Sequence, residues 1–233
     1  MLLPWAGTQR SSTRGGGALV VAALEAQPET RLARFPGDPE MNDASRDETA
    51  SDPTSESDLV SRLQAGDEAA FASVVHMYSE GVHRVASGMV GRDEADDVVQ
   101  ETFMRALEAI GRFEGRSALK TWVYGIANRV ALQRLRKRRR WSWLGRLGDH
   151  DPSGDAPGPS GIERSEKQIA IDEALAKLPD HQRAVVVLRV YEGLSYAEIA
   201  QTLGIRRPTA ESRMARARQT LRQELGSWVE GVQ

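Results

Sequence analysis

The sequence predicts an all-α protein of two small helical domains joined by a flexible linker, with a disordered N-terminal extension. Three observations predict it. Apolar residues recur at helical spacing in two separate stretches, helix caps of specific chemistry bound them, and no strand-like alternation or internal repeat occurs. Between the stretches lies HDPSGDAPGPSG, whose Gly, Pro and Asp content cannot bury enough apolar surface to fold alone. The expected organisation is an extension over 1–54, a first domain over 55–140, a linker over 141–165, a second domain over 166–225 and a tail over 226–233.

The extension holds GGG, scattered prolines and an acidic Ser/Asp/Thr-rich stretch without sustained periodicity. Met41 stands shortly before the periodic region, so residues 1–40 are expected to be dispensable, and translation is expected to be able to start at Met41. The early apolar run Ala18 to Leu24 is far shorter than the roughly 20 residues a membrane span needs.

From Asp58 the pattern changes. Phe71, Val74, Val75 and Tyr78 fall on one face of a helix that Asp67 caps and Gly91 ends. A second helix follows Asp93 with Val99, Phe103, Ala106 and Ile110 on its apolar face and Gly111 closing it. After the loop FEGRS a third helix runs toward Arg140 with Leu119, Trp122, Val123, Ile126 and Val130 inward. Lys120, Tyr124 and Asn128, four apart, form a stripe expected to lie opposite that apolar face. Interleaved aromatic and basic groups suit single-stranded DNA, because an aromatic face stacks a base while cations hold phosphates. Trp122 fits either the core or a stacking platform, and the tract QRLRKRRR fits a nonspecific anchor as well as a specific contact.

Periodicity resumes at Ile169, Ile171, Leu175 and Leu178, then Val185 to Val190. It leads into SYAEIAQTLGIRRPTAESRMARAR, which reads as a helix-turn-helix. Ser195 and Glu198 have capping-box spacing, and Leu194 can staple against Ile199. Ala200 lets two helices cross closely, Gly204 permits the left-handed turn between them, and Pro208 suits the first turn of the next helix. Along that helix Ala210, Met214, Ala217 and Leu221 make a buried stripe. Arg207, Thr209, Glu211, Ser212, Arg213, Arg216 and Arg218 are left as candidates for a major groove.

The formal net charge of −2 hides a segregated distribution. No Asp or Glu occurs between Gly115 and Gly148, where ten Lys and Arg residues fall. Cysteine is absent, which excludes disulfides, thiol catalysis and cysteine-ligated zinc and fits a reducing cytoplasm. The four histidines lack metal-ligand spacing, and no phosphate-cradling loop or nucleophile constellation appears, so neither catalytic residue, metal nor cofactor is expected.

RDEADDVVQETFMRA, FEGRSALKTWVYGIANR, a loose linker, LPDHQRAVVVLRVYEGLSYAEIAQTLGI and ESRMARAR occur in this order. Taken together they resemble the extracytoplasmic-function (ECF) group of bacterial RNA polymerase sigma factors over about Glu56 to Leu225. The resemblance implies that the first domain is sigma region two and the second is sigma region four. It implies core RNA polymerase, through its largest and second-largest subunits, and promoter DNA as partners, often with a cognate anti-sigma factor that can hold the protein at a membrane. It also implies a cytoplasmic, nucleoid-associated protein that is not an enzyme.

By the same resemblance, the helix bearing Asp96, Asp97, Gln100 and Phe103 docks on the clamp helices of the largest subunit. Asp93 as a cap and Asp96 as a partner of the helix dipole are compatible with that role. Phe113, Arg116 and Ser117 with Lys120, Tyr124 and Asn128 would hold an unstacked base of the minus-ten element. Arg134 and Arg136 to Arg140 would contact neighbouring phosphates, and the helix from Pro208 would read the minus-thirty-five element. Asp149, Asp151 and Asp155 of the tether would mimic nucleic-acid charge. Glu211 departs from a frequent family cation, so it either accepts from a cytosine amino group or faces away from the groove. The other reading of the chain is a stand-alone helix-turn-helix regulator, which leaves the first domain without a use.

Overall fold

The computed structural model describes residues 53–145 and 166–229, and the described residues form eight α-helices. Four belong to the N-terminal unit: α1 (Pro53–Gln64), α2 (Glu68–Val90), α3 (Ala95–Ala109) and α4 (Leu119–Gly145). The other four are α5 (Glu166–Lys177), α6 (Asp180–Val190), α7 (Tyr196–Leu203) and α8 (Arg207–Val229). The expected apolar run Ala18–Leu24, the start at Met41 and the tether acids Asp149, Asp151 and Asp155 lie outside the described residues.

Asp67 caps α2 as its position predicts, accepting from the backbone N–H groups of Ala69 and Ala70 at 2.9 and 3.1 Å. The Ala70 N–H and then the Arg62 side chain hold its carboxyl below the usual range. Gly91 ends α2 at φ 94°, where a side chain would strain the backbone. α3 does not stop at Gly111. It tightens after Ala109 into a single 3₁₀ turn, Ile110–Arg112, which keeps Ile110 in the core and lets the Phe113 N–H donate to the Ile110 carbonyl at 3.0 Å.

α1 was not anticipated from sequence, since it offers few apolar positions to form a periodic pattern. Long-range polar contacts fix it: Gln64 Nε2 donates to the Phe113 carbonyl at 2.8 Å, and Glu56 accepts from the Leu119 N–H at the start of α4 at 3.0 Å.

In the C-terminal unit Ser195 and Glu198 complete the capping box, with Glu198 N–H to Ser195 Oγ at 3.3 Å and Ser195 N–H to Glu198 Oε2 at 2.7 Å. Gly204 turns the chain at φ 63°, ψ 38°. Ala210, Met214, Ala217 and Leu221 are buried on α8, and Leu225 extends the stripe. Ile171, Leu175 and Leu178 are buried on and just after α5, whereas Ile169 is exposed.

The two units share a continuous core in which α2 packs on α6 and α4 on α7. The buried Arg183 of α6 joins them. Its Nη1 donates to the Met89 carbonyl of α2 at 2.8 Å, and its Nη2 donates to the carbonyls of Ala176 and Leu178 at 2.6 and 3.2 Å. Desolvation pushes the Arg183 guanidinium below its ordinary pKa while nearby Asp180 opposes the shift. Arg139 of α4 also pairs with Asp180 of α6.

Candidate nucleic-acid and polymerase interfaces

α8 presents the helix-turn-helix cations. Arg207, Ser212 and Arg216 are exposed, and Thr209, Glu211, Arg213 and Arg218 are half-buried. Glu211 accepts from Arg207 Nε at 2.8 Å, one turn earlier. The carboxylate is therefore matched within its own helix, which places a neutral pair rather than a bare negative charge on this surface.

The candidate strand-capturing face differs from its expectation. Tyr124 and Asn128 are only 2% and 6% exposed, because α4 is enclosed on one side by its own domain and on the other by α7. The stripe expected opposite the apolar face is itself covered. The Tyr124 hydroxyl donates to Glu192, which lies in the turn between α6 and α7. Burial first, and then the Glu192 charge, push the Tyr124 phenol well above its ordinary pKa. Asn128 Oδ1 is buried without a hydrogen-bond partner. Lys120 Nζ stands 5.7 Å from the centroid of the Tyr124 ring.

Three further expectations need correction. Phe113 is buried and packs at 5.1 Å, tilted by 51°, on Trp122, so it supports the loop instead of facing a base. Trp122 is half-buried against the core. Arg134 is committed to α3, with Nη1 on Asp97 at 3.0 Å and Nη2 on Glu101 at 3.2 Å. Phe103 is 6% exposed and belongs to the core, not to a docking surface. Arg136, expected at a phosphate, is exposed. Of the loop residues expected at an unstacked base, Arg116 is exposed and paired to Glu114, and Ser117 is half-buried.

On α3 the outer face carries Asp96, whose side chain is 93% exposed, with Asp97 and Gln100. Met104 and Leu107 are exposed on the same side, at spacings of four and seven from Gln100. Neither was singled out from sequence, although both fall out of phase with the buried Val98, Phe103 and Ala106. Exposed apolar side chains, methionine among them, are enriched at the centre of protein contacts, with polar groups at the rim. Glu192 and Arg84 were also missed: Glu192 lies within the stretch LPDHQRAVVVLRVYEGLSYAEIAQTLGI but at a position with no local role, and Arg84 belongs to no motif.

Among the described residues no group of three or more His, Asp or Glu side chains can hold a metal ion. Residues 74–141 match the family model of Sigma-70 region 2, and residues 168–221 match that of Sigma-70 region 4. The RNA polymerase sigma-H factor of Pseudomonas aeruginosa is 34% identical over 177 residues, covering 70% of this chain and 90% of that protein. The ECF RNA polymerase sigma-E factor of Haemophilus influenzae is 32% identical over 177 residues, 72% of this chain and 93% of that one. The chain belongs to the ECF sigma factors of RNA polymerase.

Solved structures agree with the sigma-factor fold. The structure of CnrH in complex with the cytosolic domain of CnrY matches with a TM-score of 0.56 at 25% identity, over 74% of this chain and 97% of that one. The sigma factor RpoE from Bartonella quintana, in complex with the anti-sigma factor NepR, matches with a TM-score of 0.55 at 27% identity, over 67% and 96%. This sigma factor therefore carries a region 2 match over α2 to α4 and a region 4 match over α5 to α8. The regulator reading finds no support, because it has no use for region 2.

Proposed function

We propose that this sigma factor docks on core polymerase through the α3 face of Asp96, Asp97, Gln100, Met104 and Leu107. In this reading region 2 spans 55–140 and region 4 spans 166–225, as two domains on a linker. Arg207, Arg213, Arg216 and Arg218 of α8 hold the minus-thirty-five duplex. Lys120, Tyr124 and Asn128 hold an unstacked base of the minus-ten element once the units part, and Arg116, Arg136, Lys137 and Arg140 contact phosphates. The polymerase performs the chemistry, and the sigma factor supplies address and strand capture without an active centre of its own.

The observation that carries this reading is the presence of both sigma regions, in order, in one chain. An anti-sigma partner is part of it, supported by RpoE having been solved with NepR. A cytoplasmic, nucleoid-associated location is proposed with it. Among the described residues no helix is long and apolar enough to cross a membrane. Run-off transcription with purified core polymerase on a promoter library, with and without the chain, tests the reading. Discrete products that depend on the chain are expected, and their absence overturns it.

A further inference from the structure

Glu192 is a carboxylate of the second unit held inside the first. Its side chain is 2% exposed, and it accepts from Arg84 Nε at 2.8 Å, from Arg84 Nη2 at 3.3 Å and from the Tyr124 hydroxyl. Arg84 also pairs through Nη1 with the exposed Glu80 at 3.0 Å, which keeps the guanidinium plane in place.

Glycines make room for this contact. A Cβ at position 81 would lie 2.2 Å from Tyr124 Oη and 2.8 Å from Glu192 Oε2. Two turns along α2, a Cβ at Gly88 would lie 2.7 Å from Val187 and 2.8 Å from Tyr191. On α4, beside Tyr124, a Cβ at Gly125 would stand 3.1 Å from the Thr202 carbonyl. Glycine inside a helix is destabilising relative to alanine, so three of them facing one neighbour are understandable as the requirement of close approach.

We infer that Arg84 and Tyr124 form an anion site for a phosphate of single-stranded DNA, and that Glu192 occupies this site in the closed chain as an internal stand-in. The inference rests on the proposed role of α4 in strand capture. Arg84 and the Tyr124 hydroxyl offer only donors to the carboxylate, and a phosphate oxygen satisfies the same donors with the same sign of charge. Lys120 adds a second cation beside the Tyr124 ring. Asn128, one turn further, keeps an acceptor that no protein donor meets and that the amino group of a base can. Glu192 and a DNA strand exclude each other from this position. The chain thus closes its own strand-capturing face while leaving α8 open to duplex DNA.

The test uses the full chain without polymerase, titrated into two fluorescent probes: a random-sequence single-stranded DNA pool and a random duplex. Glu192→Gln keeps the side-chain volume and removes the charge, and it should bind single strands about tenfold tighter than wild type, the effect of one charge-assisted contact. Duplex binding should not change. Adding Arg84→Gln to Glu192→Gln should abolish the gain.

Because the chain has no cysteine, Gly88→Cys with Val187→Cys creates a single possible disulfide across the units. The second change removes the methyl groups at 2.7 and 3.2 Å that the new Cβ would meet, and the Tyr191 ring at 2.8 Å must shift. Thiol titration establishes that the bond has formed before binding is compared. The oxidised form should lose single-strand binding and recover it on reduction, with duplex binding unaltered. Circular dichroism checks folding. Should Glu192→Gln unfold, the oxidised and reduced forms of the cysteine pair carry the test alone. Equal single-strand affinity of wild type and a folded Glu192→Gln, or of the oxidised and reduced pair, overturns the occlusion. A gain that survives Arg84→Gln overturns the anion site. Failure of the sigma-factor reading is separate, since it shows as wild-type chain that yields no run-off product.

Discussion

α4 and α8 are both arginine-rich helices assigned to DNA, yet they stand differently toward solvent. On α8 the exposed Arg207 and Arg216 alternate with half-buried Arg213 and Arg218, with α8 anchored from behind by Ala210, Met214 and Ala217. On α4 the proposed phosphate contacts Arg136, Lys137 and Arg140 are exposed, while Tyr124 and Asn128 are buried. A duplex offers phosphates from the outset, whereas an unstacked base exists only after the strands part. Under the proposed roles, the difference between the helices follows the order in which their ligands become available.

The largest expected effect tests whether the two units pack at all. Arg183→Ala leaves the carbonyls of Met89, Ala176 and Leu178 without their donor, and an unsatisfied buried group costs about 1–3 kcal/mol, so a loss of about 3 kcal/mol or more is expected in urea unfolding. Stability equal to wild type would break the comparison, because α4 would then not be held under α7.

The next effect sharpens it from the α8 side. Replacing Arg213, Arg216 and Arg218 by Ala should weaken duplex promoter binding and flatten its dependence on salt, by about one in log–log slope for each phosphate that is no longer neutralised. Single-strand binding by the Glu192→Gln chain should be unaffected. An equal loss on both probes would show that the helices do not divide the work.

Gly81→Ala has a smaller effect. The added Cβ would lie 2.2 Å from the Tyr124 hydroxyl and 2.8 Å from Glu192 Oε2, so these buried side chains must shift and their contact is lost. That loss offsets the roughly 0.5–1 kcal/mol by which alanine favours α2. Stability should stay near that of wild type, but the Tyr124 phenol should return toward its ordinary pKa in an ultraviolet titration. The sign follows from the raised value in the folded chain. The closed contact is fully present below the ordinary tyrosine pKa of about 10, and it is lost as pH rises through the higher folded value. An unchanged titration would mean that burial by α4's own domain, not the second unit, sets the pKa.

The smallest expected change in stability comes from Asp96→Lys, within tenths of a kcal/mol, because the carboxylate is almost wholly exposed. Core-polymerase binding should nonetheless weaken. Asp97 is a poorer probe, since its pairing with Arg134 gives it a structural part as well. If Asp96→Lys binds core polymerase as wild type does, α3 is not the docking helix.

Local chemistry was legible before the structure. Asp67, Gly91, Ser195, Glu198 and Gly204 each act through residues no more than about four positions away, and such signals survive in a linear reading. Helical periodicity likewise located most of the core. What failed was long-range. Tyr124 and Asn128 look solvent-facing within α4 alone, but Tyr124 lies against Gly81 of α2 and against Glu192, and α7, brought back from some seventy residues later, packs on the same helix. Phe103 and Phe113 were assigned by resemblance to interaction surfaces, yet both fill core positions. Glu192 sits in the turn just before the capping box, and nothing about a single acid in a turn announces a partner on α2.

α4 is one uninterrupted helix from Leu119 to Gly145, about 40 Å long at 1.5 Å per residue. Trp141 and Trp143 protrude near its far end, more than four turns beyond Tyr124. From Leu119 to Leu135 the helix is built into the core, and beyond that point its exposed turns leave it. Out there its tie to the second unit is Arg139 with Asp180, a partly exposed pair that contributes little to holding the units together. The two tryptophans are thus an apolar surface carried clear of the packed interior.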